Sequence, residues 1–269
     1  LTVTNPPPPI SATSFLNGAG FFSTSTTSNN QTALSPCGVG TLVVGSPLSS
    51  AAFPATPNMY ATPLGQTNGI GIVFPSAAGT SSAPILNIAT AGTGQQLITF
   101  QVPCDATPSF ANVTVTINGS NVTVPGVAVR PGAPGIFESV SSDGVRRAVA
   151  VRANGSFVSP QNPVQPGEFI TIYVTGVGPT VPSLATGQLP VAGVNVVPAE
   201  AGQVVVGLDG SGIGPVTVTA SPELIGVYQV NFQVPANTTA GDHILAIGVT
   251  AQSNPTQFQQ PGGSKLLVQ

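Results

Sequence analysis

The chain has 269 residues, of which five are Lys or Arg, eight are Asp or Glu, one is His and none is Trp. An ordinary globular chain is about 25% charged, whereas this one is 5%; most acid–base chemistry lacks its reagents, and five cations cannot neutralise the run of phosphates that a nucleic-acid partner presents. Disorder is excluded as well, because 41% of the residues are hydrophobic, and disordered chains are poor in apolar residues and rich in charge.

In chain order, Leu1, Thr2, Val3 and Thr4 alternate apolar and polar and run into Pro6-Pro7-Pro8-Pro9, a stiff polyproline II spacer. A strand on such an arm has three readings: donation to the sheet of a neighbouring subunit, the remnant of a preceding domain, or a strand folded back on its own domain. The opening has no initiator Met, basic start or apolar core of a leader, so the chain is read as mature or excised. No apolar run reaches the roughly 18 to 20 residues that span a bilayer as a helix.

Beyond the arm, helical periodicity is nearly absent. Short β-branched runs bounded by Pro, Gly, Asn and Ser recur instead, the pattern of an all-β sandwich. Strands are predicted at 41–44, 96–102, 112–117, 122–129, 145–152, 169–175, 203–208, 216–220, 227–234, 243–250 and 265–268. Asn118-Gly119 and Asn154-Gly155 suit type I′ hairpin turns. Segment 45–94 is predicted to hold an extra strand, 70–74, among surface loops. It reads either as decoration or, through Phe53, Met59, Tyr60, Phe74 and Ile85, as a contact surface.

An internal repeat organises these runs. Phe100-Gln101-Val102-Pro103 returns as Phe232-Gln233-Val234-Pro235, and Ser35-Pro36-Cys37-Gly38 corresponds at nearly the same spacing to Gln165-Pro166-Gly167-Glu168. Two markers in one order predict two homologous β domains: an arm at 1–9, a first Ig-like sandwich at 10–131 and a second at 132–269.

Cys37 and Cys104 suit one disulfide in an exported protein; the alternative is two buried thiols. Scarce charge and abundant Ser, Thr and Asn point outside the cell. His243 stands beside Asp242, but neighbours along a strand point to opposite faces, so the pair does not read as a catalytic dyad. No His pair, acidic cluster or phosphate loop occurs, and Asp209-Gly210-Ser211-Gly212 lacks the later carboxylates of a calcium loop; no metal, cofactor or catalytic residue is expected. Asp and Glu lie mostly in turns, which argues against glycoside hydrolysis. Sugar binding without hydrolysis is a separate matter, although the chain offers only three Tyr for stacking. Asn30, Asn112, Asn118, Asn121, Asn154 and Asn237 head Asn-x-Ser/Thr triplets and are candidate glycosylation sites.

Ala133-Pro134-Gly135-Ile136-Phe137, Asn154-Gly155-Ser156, Ser159-Pro160-Gln161-Asn162-Pro163, Tyr173-Val174-Thr175-Gly176-Val177-Gly178-Pro179 and Gly226-Val227-Tyr228-Gln229-Val230-Asn231 resemble an exported β-domain family of Solibacter-type acidobacteria. The resemblance implies an Ig-like sandwich on an extracellular protein; it carries no activity to particular residues. The first repeat is similar, more loosely, to the domain that precedes it in that family. The leading expectation is thus a non-enzymatic extracellular structural protein, at the cell surface or beyond, whose partner is itself: a filament or surface layer joined through Leu1–Thr4. The alternative is an adhesive or carbohydrate-binding module whose partners are surface glycans. With so few titratable groups, stability is expected to depend only weakly on pH.

Overall fold

The computed structural model describes residues 10–19, 33–45, 63–64, 69–91, 95–199, 204–249, 257–258 and 264–269. It is all-β, apart from one 3₁₀ turn at Ala12–Ser14. No helix among the described residues is long and apolar enough to cross a membrane.

The first sandwich is built from β1 (Phe15–Asn17), β2 (Val39–Val44), β3 (Ile70–Ser76), β4 (Gly79–Ser82), β5 (Ile85–Ala91), β6 (Gln95–Gln101), β7 (Ser109–Ile117) and β8 (Ser120–Val129). One antiparallel sheet has the order β1-β2-β6-β5 and the other β4-β3-β7-β8. Alternation supplies the inner faces: Ile70, Ile72 and Phe74 point inward from β3, and Val113, Val115 and Ile117 from β7. At the centre, Phe100 sits edge-on to Phe15, with ring centroids 6.1 Å apart. Gly40 lies opposite Phe100 across β2 and β6, and a Cβ there would come within 2.6 Å of the Phe100 ring, so this strand glycine makes room for the aromatic core.

The second core follows the same plan with β9 (Gly135–Ile136), β10 (Glu138–Val140), β11 (Arg146–Ala148), β12 (Ala150–Arg152), β13 (Phe169–Thr175), β14 (Thr180–Val181), β15 (Val197–Pro198), β16 (Val204–Leu208), β17 (Ser211–Ile213), β18 (Val216–Ala220), β19 (Tyr228–Gln233), β20 (Gly241–Val249), β21 (Gln257–Phe258) and β22 (Ser264–Val268). One sheet runs β12-β13-β19-β18, with β9 also on β13; the facing sheet runs β17-β16-β20, with β21 and β22 both on β20. The shared strands repeat the first order, β1-β2-β6-β5 matching β12-β13-β19-β18 and β4-β3-β7-β8 matching β17-β16-β20-β22, while β9, β10, β11, β14, β15 and β21 are additions. Even the isolated parallel bridges correspond, Leu34 with Val129 and Val164 with Val268. The repeat read from the sequence is therefore a repeat of topology. One hydrophobic cluster ends in sequence at Val129, and the next begins at Ile136.

Four local expectations change. The strand at 70–74 is not extra, because β3 holds the place that β16 holds in the second core. Phe74 and Ile85 are core residues rather than a contact surface, being 0% and 5% exposed; Phe53, Met59 and Tyr60 lie outside the described residues. Segment 145–152 is not one strand: Val149 separates β11, which pairs with β10, from β12, which pairs with β13. Asn118-Gly119 does form a turn with both φ angles positive, but at Asn154-Gly155 only the glycine is positive. There the Gly155 N–H donates to Arg152 O at 2.9 Å, so one extra residue makes a type I turn followed by a left-handed glycine.

The two cores meet at a junction of hydrogen bonds and apolar packing. The Val39 N–H donates to Thr175 Oγ1, which donates to Gly226 O, each at 2.7 Å. Asn17 Nδ2 donates to Ala133 O at 2.7 Å, and the Gly187 N–H to Gln101 Oε1 at 2.6 Å. Val39, Leu86, Ile225 and Val227 pack between these bonds.

Candidate binding groove

Beside this junction the sheet of the second core splits, and the split makes a cavity. The Phe137 N–H donates to Tyr173 O at 2.9 Å and the Val149 N–H to Phe137 O at 2.7 Å. Phe137 stands between β9 and β10, and Val149 between β11 and β12. At this fork the chain leaves one sheet for a separate hairpin, and the Phe137 and Val149 side chains stay half-buried. Tyr173 joins them because alternation along β13 turns Ile172 and Val174 into the core and Tyr173 out.

Phe137, Phe157, Tyr173, Leu224, Val149 and Val227 line a cavity of about 300 Å³, at the lower end of the range for small-ligand pockets. Phe157 forms one wall and is 63% exposed. Its loop is held by Arg152, which donates to Phe157 O at 3.4 Å and to Pro163 O at 2.6 Å and pairs with Glu168 at 2.6 Å. The opposite rim is Ser221 to Val227. It folds back through the Ser221 N–H to Val227 O, while the Glu223 N–H donates to Ser221 Oγ. This places the exposed Glu223 at the mouth of a largely apolar cavity with three aromatic side chains. A ring with an apolar face and hydroxyl edges fits such a lining: aromatic faces take its C–H groups, and the carboxylate accepts from its hydroxyls.

Cys37 and Cys104 are joined in a disulfide, with 4.2 Å between Cα atoms. Asn112, Asn118, Asn121, Asn154 and Asn237 are all exposed; Asn30 and Leu1, Thr2, Val3 and Thr4 lie outside the described residues. Asp242 does not pair with His243. It holds Arg147 through two bonds of 2.6 and 2.9 Å, and Arg147 also reaches Asp143 at 2.8 Å. Hydrogen bonds to Asp242 and Asp143 raise the Arg147 pKa further above its ordinary value.

His243 instead meets Asp209, across the tip of the β16–β17 hairpin. Nδ1 lies 2.6 Å from Asp209 Oδ2, and Nε2 lies 2.8 Å from Thr239 O. An acceptor beside each nitrogen favours the doubly protonated form of the ring. The hydrogen bond to Asp209 raises the His243 pKa above the ordinary 6.5, and the same bond lowers that of Asp209. A raised histidine stabilises the fold fully below its unfolded value, and that stability is lost as pH rises through the folded value; the depressed Asp209 loses its share as pH falls through its own. The clamp is therefore complete from about pH 4 to about pH 6.5. The melting temperature is expected to fall between pH 6 and pH 8 in the native chain, and to stay level over that interval in His243→Gln. Equal slopes in the two chains would show that the clamp contributes nothing.

No family model matches the sequence, and no curated protein matches it. Among solved structures, the Bacteroides ovatus mixed-linkage glucan utilization locus protein SGBP-B, in complex with a mixed-linkage heptasaccharide, is similar at 9% identity and a TM-score of 0.30 over 88% of this chain. This chain spans 43% of that protein's length. The titin fragment Titin-A168169 is similar at 12% identity and a TM-score of 0.23, over 88% of this chain and 92% of that one.

Proposed function

We propose that this chain is an exported, non-catalytic binding module whose groove takes a ring of a neutral glycan. The observation that carries the reading is the cavity of about 300 Å³ walled by Phe137, Phe157 and Tyr173, with Glu223 at its rim. Glycoside hydrolysis uses two carboxyl groups flanking the scissile bond, and among the described residues of the lining Glu223 is the only carboxylate, which supports binding without cleavage. The disulfide supports export, since such bonds persist in oxidising compartments. Strand donation by Leu1–Thr4 draws on residues outside the described ones.

Calorimetric titration with neutral hexose oligomers of β1,3, β1,4 and α1,4 linkage tests the reading. At least one series is expected to bind, and Tyr173→Ala to weaken it by about tenfold or more, the scale of one lost aromatic contact. Undiminished binding by Tyr173→Ala with native melting behaviour would overturn the groove as the site.

A further inference from the structure

The groove opens at one end onto the outer face of its own sheet, and that face is built of one kind of chemistry. Along β13 the outward positions are Tyr173, Thr171 and Phe169. Across the sheet, Tyr173 lies opposite Gln229, Thr171 opposite Asn231, and Phe169 opposite Gln233. Thr171 Oγ1 donates to Asn231 Oδ1, and Asn231 Nδ2 donates to Thr217 Oγ1 at 3.4 Å, so the middle row is a polar ladder across three strands. Gln233 is turned by its bond to Gly167 O at 2.8 Å. Phe169, at the far end, is 59% exposed, a large apolar side chain outside the core clusters of the described residues. None of these outward residues carries a charge.

Resting on the groove reading above, we infer that the site continues along β13 and takes an extended neutral oligosaccharide rather than one ring. One end of the chain is seated on Phe137, Phe157 and Tyr173, and the other on Phe169. Four residue steps of strand lead from Phe169 to Tyr173, about 13 Å, which is room for a short run of sugar rings. Between the two aromatic ends, Thr171, Gln229 and Asn231 present amide and hydroxyl groups that pair with sugar hydroxyls in either direction. An anionic polymer finds no cation among these outward residues and meets Glu223 at the groove, and a wholly apolar one would leave the polar ladder desolvated; the neutral, hydroxyl-edged chain is the occupant that matches both.

The test compares a disaccharide and a hexasaccharide of the linkage that the native chain binds, in the native protein, Phe169→Ala, Gln233→Ala and Tyr173→Ala. The hexasaccharide is expected to bind at least about tenfold tighter than the disaccharide. Phe169→Ala is expected to remove most of that difference while leaving the disaccharide unchanged, and Gln233→Ala to act in the same direction but less. Tyr173→Ala is expected to weaken both lengths. If length makes no difference, or if Phe169→Ala binds the hexasaccharide as the native chain does, the extension is wrong and the groove stands. If Tyr173→Ala binds both lengths normally, or no oligosaccharide binds at all, the groove reading falls and the extension with it. Phe169 is exposed, so its replacement leaves the fold intact, and the unchanged disaccharide affinity verifies this directly.

Discussion

Gly176→Ala is expected to lose about 4 kcal/mol of stability, the sum of a left-handed backbone penalty and an overpacking cost. That is a large part of the 5 to 15 kcal/mol by which domains are stable. Gly176 has φ +75, and an added Cβ would lie 2.0 Å from Ala133 O and 2.7 Å from Ala133 C. The obstacle is backbone and cannot step aside: the Ala133 N–H donates to Gly176 O at 2.8 Å, and Ala133 O accepts from Asn17. Gly193 is the control. Its φ is +79, yet nothing stands within 4 Å of the added methyl, so Gly193→Ala is expected to cost only about 1 kcal/mol. Urea unfolding of both variants measures the difference; equal losses would mean that the close approach between Pro131–Ala133 and the end of β13 is not what constrains Gly176.

Removing the disulfide has the second large effect. Cys37–Cys104 closes a separation of 67 residues, for which the chain-entropy account gives about 4 kcal/mol. Cys37 also has φ +62, a conformation in which a side chain costs about 1 to 2 kcal/mol. Cys37→Gly with Cys104→Ala is therefore expected to lose about 2 to 3 kcal/mol net. The second core shows what the unlinked turn looks like. Gly167 occupies the matching place, with φ +83 and its N–H on Val234 O, as the Cys37 N–H is on Val102 O. A Cβ on Gly167 would lie 4.0 Å from that of Ala236, inside the span that a disulfide bridges. Gly167→Cys with Ala236→Cys is expected to form a second bond and gain about 2 kcal/mol. Unfolding with and without reductant reads both results. A double variant equally stable oxidised and reduced would contradict the equivalence of the two turns.

How far the sequence carried these conclusions depended on whether a feature was local. β13 and β18 lie where their β-branched alternation and flanking breakers predict, at 169–175 and 216–220. β5 is not legible in the sequence: Asn87 stands within Ile85–Ala91, and the register shifts between Ile85 and Asn87, so its alternation is interrupted. β4 is Gly-Thr-Ser-Ser and has no apolar face to recognise. The partner of His243 is a hairpin away at Asp209, a distance that no pattern of neighbours reports.

The groove was hidden for the same reason. Tyr173 is readable as an outward residue between Ile172 and Val174, but its meeting with Phe137 and Phe157 depends on the sheet splitting at Val149. Charge is scarce and unevenly distributed: residues 1–129 carry only Asp105, and the ion pairs among the described residues lie between Glu138 and His243. They tie loops around the second core, and Arg152 with Glu168 holds the wall of the groove.

The central claim is that Phe137, Phe157 and Tyr173 form a glycan site. Titration of the isotope-labelled chain with the binding oligosaccharide, followed by two-dimensional NMR, tests it residue by residue. The predicted result is saturable shifts at Phe137, Phe157, Tyr173 and Glu223, reaching Phe169 as the oligomer lengthens, with the β7–β8 hairpin unmoved. Shifts confined to that hairpin or to segment 45–62, with the three aromatic residues unchanged, would contradict it.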